Sequence, residues 1–322
     1  MRKIRASSTA LALLAAAAPS NAAEWELGIS GFYHLGVALS DGAGQDGLGV
    51  VRDGEVHFEG ELQADNGLTF FAVVELEAQT DSDQIDKNYG GVMGAFGSLK
   101  FGGDDTAIAT YNNSVIGSPG SKVGYYDADA ITTAADDMAA VAGGEQGVGV
   151  HYDTPEFMGF QAGVSYLPNV NADGAADTNN PVFNGSDYWS VAAAYNGEFD
   201  GFGFGVNGGY ADEDGADNDV WAVGAFVSAS GFTLAGGYQN AGDAYLDGAS
   251  AGETFYIGAE YSTGPWTVAG GYSNNDFNDT DVASAWATYA LAPGISATAG
   301  IEYADDSANE DIGGIAYMSL FF

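Results

Sequence analysis

The sequence predicts an all-β protein: a transmembrane antiparallel β-barrel of about sixteen strands, with a long third loop folded into the lumen. Three observations predict it. Apolar and polar residues alternate with period two along nearly the whole chain, short and long connections take turns between the alternating runs, and aromatic residues collect at the ends of the apolar series. Period two puts successive side chains on opposite faces of a strand, so each run has one apolar and one polar face. A helix built from these residues would show charge on every side. A soluble sandwich would alternate too, but it has no pair of membrane–water interfaces to favour aromatic residues at both ends of its apolar face.

The chain opens on a leader. Arg2, Lys3 and Arg5 precede the apolar run Thr9 to Ala18, and Ser20-Asn21-Ala22 offers small residues to a signal peptidase. Residues 1–22 are read as a signal peptide, cleaved after Ala22 or Ala23, and 23–322 as the barrel domain. The apolar run is too short to span a bilayer as a helix. Three of the seven basic residues lie in the leader, so the mature chain sets four against 45 acidic residues, a formal charge of −41. So acidic a surface repels nucleic acid and excludes it as a partner. Cysteine is absent, so no disulfide holds the fold, and an aromatic content of 13% argues against disorder.

The first strand shows Trp25, Leu27, Ile29, Tyr33, Leu35, Val37 and Leu39 on one face. The second switches phase: Val56, Phe58 and Leu62 face one way, and Glu55, His57, Glu59, Glu61 and Gln63 the other. Asp65-Asn66-Gly67 is a tight hairpin signal, and Phe70, Ala72, Val74 and Leu76 follow on the apolar face of the third strand, opposite Glu75 and Glu77. The grammar continues through Val148-Val150-Tyr152, Trp189-Val191-Ala193-Tyr195 and Trp221-Val223-Ala225-Val227 to Ile295-Ala297-Ala299-Ile301-Tyr303. Short connections such as Gly97-Ser98, Pro155 to Gly159 and Ser230-Gly231 alternate with long ones rich in Asp, Asn and Gly, which puts both termini on the short-turn, periplasmic side. From Gly102 to Gln146 no sustained alternation is visible, and this stretch is read as a loop that narrows an otherwise open lumen.

Three pieces of the chain carry a family resemblance: Gly94-Ala95-Phe96-Gly97-Ser98-Leu99-Lys100-Phe101-Gly102 before the long loop, Val150-His151-Tyr152-Asp153-Thr154-Pro155 after it, and the end, Ala316-Tyr317-Met318-Ser319-Leu320-Phe321-Phe322. With them the chain resembles the general-diffusion porins of Gram-negative bacteria, in particular the alphaproteobacterial, Rhodobacter-like ones. The resemblance implies an outer-membrane channel for small hydrophilic solutes and ions, a homotrimer, contact with outer-membrane lipids and lipopolysaccharide, and loop acids facing a row of wall cations. It also implies that Phe322, Leu320 and Met318 form the signal read by the assembly machinery. The row of cations is missing: beyond the leader the basic residues are Arg52, Lys87, Lys100 and Lys122. Arg52 and Lys87 lie near loop ends, and Lys100 has inward phase.

Inward phase therefore nominates His34, Glu55, His57, Glu59, Glu61, Glu75, Glu77, Lys100 and His151 as pore lining. Lys122, Asp127, Asp129, Asp136 and Asp137 of the third loop are the constriction candidates. Carboxylates along a narrow aqueous path concentrate cations, so cation preference is expected. Glu59, Glu61, Glu75 and Glu77 lie on adjacent strands, where like charges repel unless a cation or a basic residue intervenes; calcium, Lys100 and Lys122 are the candidates. Otherwise no cofactor is expected. The alternatives are a substrate-specific channel, an acidic surface or structural protein, and a barrel hydrolase, which lacks any Gly-x-Ser-x-Gly nucleophile sequence here.

Overall fold

The computed structural model describes residues 24–41, 47–78, 85–115, 146–168, 187–213, 219–241, 252–276, 279–305 and 310–322, with side chains in the helix as far as Tyr111. Its strands are β1 (Glu26–Asp41), β2 (Gly47–Gln63), β3 (Thr69–Glu77), β4 (Asn88–Gly94), β5 (Gly97–Asp105), β6 (Gln146–Asp153), β7 (Phe160–Leu167) and β8 (Tyr188–Phe199). They continue as β9 (Phe202–Glu213), β10 (Val220–Ala229), β11 (Phe232–Asn240), β12 (Glu253–Thr263), β13 (Trp266–Asn275), β14 (Thr280–Ala292), β15 (Ile295–Asp305) and β16 (Glu310–Phe321). One helix, α1 (Ala107–Val115), follows β5.

Each strand pairs antiparallel with its sequence neighbours, and β1 pairs with β16, closing a sixteen-stranded barrel without an edge. Closure matters because an open edge in lipid leaves backbone groups without partners. At the seam the Gly31 N–H donates to the Phe322 carbonyl at 3.0 Å, and the Phe322 N–H donates back at 3.1 Å.

The apolar series face outward. Leu27, Ile29, Val223, Leu234, Ile257 and Ile301 are all exposed, a continuous apolar surface that water would penalise and lipid accepts. Aromatic pairs bracket it. At the long-connection end stand Trp189 with Tyr210 (5.3 Å between centroids) and Trp221 with Tyr238 (4.9 Å). At the short-turn end stand Phe232 with Tyr261 (4.2 Å) and Trp266 with Tyr289 (4.7 Å). The inward face is mixed: Ser165, Ser190, Gln239, Thr254, Thr298 and Glu302 are buried there beside apolar clusters that include Leu167, Tyr188, Val220 and Trp286.

Two-residue turns match the strand twist. Asp200-Gly201 and Ser230-Gly231 both take positive φ at each position (51° and 80°, 50° and 87°), as a type I′ hairpin requires. Two boundaries differ from the sequence reading. The β4–β5 turn is Ala95-Phe96, with Gly97 (φ 105°) already paired to Gly94. The stretch after Gly102, read as wholly irregular, holds the end of β5 and α1; nine helical residues are too few for periodicity to announce. The rest of that connection and the leader lie outside the described residues.

Candidate functional site

The inner wall of β2 to β6 carries a cluster of charge. Glu55 and His57 are two apart on β2 and so share its lumen face. The β2–β3 register sets His57 opposite Glu75 and Glu55 opposite Glu77. His57 Nε2 lies 2.7 Å from Glu55 Oε2. Glu59 and Glu61, further along the same face, are exposed and stand opposite Val73 and Phe71. This corrects the expected calcium set. Glu59, Glu61, Glu75 and Glu77 do not face one another in pairs, because the turn centred on Asn66 fixes another register.

The two described lysines are held by aspartates. Lys87 Nζ donates to Asp105 Oδ2 at 2.9 Å. Burial pulls the Lys87 ammonium down, but Asp105, with Glu75 and Asp86, outweighs it and lifts the pKa above the ordinary lysine value. Lys100 pairs with Asp104 and lies 3.4 Å from Asp153 Oδ2, its Nζ 5.5 Å from the centroid of the Tyr89 ring. Both side chains of the Lys100–Asp104 pair are largely withdrawn from water, at 15% and 7% exposure. Lys100 has the inward phase expected of it, but with its charge already matched. Arg52 stands within β2 opposite Leu35 and so shares the outward face.

Two of the expected pore histidines point inward but do not line water. His34 is buried beneath Phe32 (4.7 Å), Tyr317 (5.9 Å) and Phe321 (5.7 Å), with Nδ1 2.9 Å from Ser319 Oγ. His151 is 2% exposed, its Nδ1 2.9 Å from Ser165 Oγ. Phase alone does not show what covers an inward side chain.

The opposite stretch of inner wall is a seat for α1. The Ala107 N–H donates to Ser165 Oγ (2.9 Å) and Ser190 Oγ (3.1 Å), so wall hydroxyls satisfy the first amide of the helix. Ile108 packs with Leu167, Tyr188, Ala211, Val220 and Ala222, and Ala107 and Tyr111 pack with Ala192, Ala194 and Ala235. The Tyr111 hydroxyl donates to Asp153 Oδ1 at 3.0 Å, and burial together with that carboxylate raises its pKa. Asp153 thus joins the helix to the Lys100 cluster.

Lys122, Asp127, Asp129, Asp136 and Asp137 lie outside the described residues. Met318 and Leu320 pair with the outward-facing Leu35 and Tyr33, and Phe322 bonds to β1. Asp104 and Asp105, the partners of the lysines, were not among the expected site residues. The signal for Asp104 was its spacing of four from Lys100, which gives both the same phase, at the end of a strand whose length was underestimated.

A family model for Gram-negative porins matches residues 8–309. A five-substitution variant of the Rh. blastica porin superposes with a TM-score of 0.69 at 16% identity, covering 92% of this chain and 100% of the other. A triple mutant of Rhodopseudomonas blastica porin gives 0.66 at 15% identity, with the same coverage. A structure from work on the asymmetric conductivity of engineered proteins gives 0.70 at 16% identity, again over 92% and 100% of the two chains. A search of curated proteins finds no match.

Proposed function

The chain belongs to the Gram-negative porin family, and we propose that its barrel is a water-filled outer-membrane channel for passive diffusion of small hydrophilic solutes and ions, with a preference for cations. Family and fold point to a channel and not to an enzyme. The observation that carries the cation preference is the imbalance of the inner wall. Glu59 and Glu61 are exposed on its face, with Glu55 and Glu75 beside them, while Lys87 and Lys100 are each matched by aspartates. Fixed carboxylates raise the local concentration of cations and repel anions, whereas a lysine already paired adds little to the field at the lumen axis.

In this reading the leader exports the chain, as its charged, apolar and small-residue zones suggest. The resemblance of the chain's motifs to the family supports assembly through Met318, Leu320 and Phe322, and three subunits in contact with lipid and lipopolysaccharide. Planar-bilayer recording tests the channel. The expected result is discrete, nearly ohmic steps that scale with bulk conductivity. Saturation by one solute would replace diffusion with specific transport, and silence of folded protein would remove the channel.

A further inference from the structure

The half-buried part of the charged wall holds an arrangement that diffusion does not require. Glu55 and His57 project from one face of β2, and Glu75 projects beside them from β3, directly across from His57. One ligand atom from each of Glu55, His57 and Glu75 lies within 4.8 Å of the others. On the far side of β2, Phe32 of β1 stands opposite Glu55, and its ring meets the imidazole of His57 edge-on at 6.4 Å, limiting where that imidazole can swing. The Glu75 N–H donates to the Lys87 carbonyl at 2.8 Å, fixing the backbone from which its carboxylate extends.

We infer that Glu55, His57 and Glu75 form a binding site on the lumen wall for a borderline divalent transition-metal ion such as Zn2+. One imidazole nitrogen and two carboxylate oxygens make a three-ligand set of the kind that leaves a fourth position to water, and the lumen supplies that water. The imidazole decides the metal class: calcium takes six to eight oxygens, whereas nitrogen with carboxylate suits zinc and its neighbours. The three ligands stand on two strands locked by their ladder, so little backbone ordering accompanies binding. Where the barrel conducts, the ion offsets two wall charges and lowers cation preference; that consequence rests on the channel reading, but the site itself does not.

Binding to chelator-treated, detergent-solubilised protein tests the site without any need for conduction. Zn2+ and Ca2+ are titrated by calorimetry into the native chain and into His57→Gln, Glu75→Gln and Glu59→Gln, each checked for native barrel circular dichroism. The expected result is one Zn2+ per chain, affinity lowered at least about tenfold by His57→Gln and by Glu75→Gln, no change with Glu59→Gln, and no competition from a hundredfold excess of Ca2+. Equal Zn2+ binding by native and folded His57→Gln protein overturns the inference. So does Ca2+ binding as tightly as Zn2+. Since Glu75→Gln keeps the imidazole and His57→Gln keeps both carboxylates, failure of one variant to fold leaves the other decisive.

Discussion

The inner walls of β2–β6 and of β7–β11 are made by the same hydrogen-bonded ladder, yet one is densely charged and partly open to water and the other largely uncharged and dry. In β2–β6 the inward positions hold Glu55, His57, Glu59, Glu61, Lys100 and Asp104. In β7–β11 they hold Ser165, Ser190, Ala192, Ala194, Ala211, Ala222 and Ala235, with α1 laid over them. Alternation decides only that a residue points inward. The size and polarity of that residue then decide whether its patch meets water or receives another segment. Glycine marks close approaches in the seat: a Cβ at Gly209 would come 2.8 Å from Ile108 Cγ1 and 3.0 Å from the Ala192 Cβ. The charged wall must satisfy its buried ions internally, and does so by pairing each described lysine with aspartate.

The sharpest way to break this contrast is on the charged side. Lys100→Met leaves Asp104 withdrawn from water without its ion, and such a loss costs about 3 kcal/mol. Chemical unfolding should show it, while a result equal to native protein would mean the pair adds nothing. On the dry side, Ile108→Ala removes buried contacts of α1 and should weaken its docking by about 2 kcal/mol. Hydrogen exchange should then quicken at α1 and stay unchanged in the β12–β15 ladders. Gly209→Ala at the same contact should cost about 1 kcal/mol, with exchange quickened in the same place. Least of all, Glu59→Gln and Glu61→Gln should leave stability within about 0.5 kcal/mol of native, because both side chains are exposed.

Much of this contrast was legible in the sequence, and the rest was not for identifiable reasons. The phase of β2 separated Phe58 from His57 and Glu59 correctly, since a strand with one lipid face tolerates no slip. The partners across the ladder required the turn centre. Asn66 lies midway between Glu55 and Glu77 and between His57 and Glu75, so the register was present in the hairpin signal but was not extracted from it. The helix stayed hidden because Ala107, Ile108 and Tyr111 offer a single apolar stripe too short to distinguish from loop. The covering of His34 is only partly local: Phe32, two residues before it, is the nearest ring, but Tyr317 and Phe321 of β16 complete it, and His151 is held by a serine from β7.

The claim on which the rest depends is that an acidic wall with matched lysines faces the permeant ions. The reversal potential of the reconstituted protein across a tenfold potassium chloride gradient tests it most directly. The account predicts a potential of the sign set by potassium, shifting toward zero in Glu59→Gln/Glu61→Gln protein of unchanged conductance class. A chloride-signed potential in the native protein, or a potassium-signed one that ignores both substitutions, would contradict it.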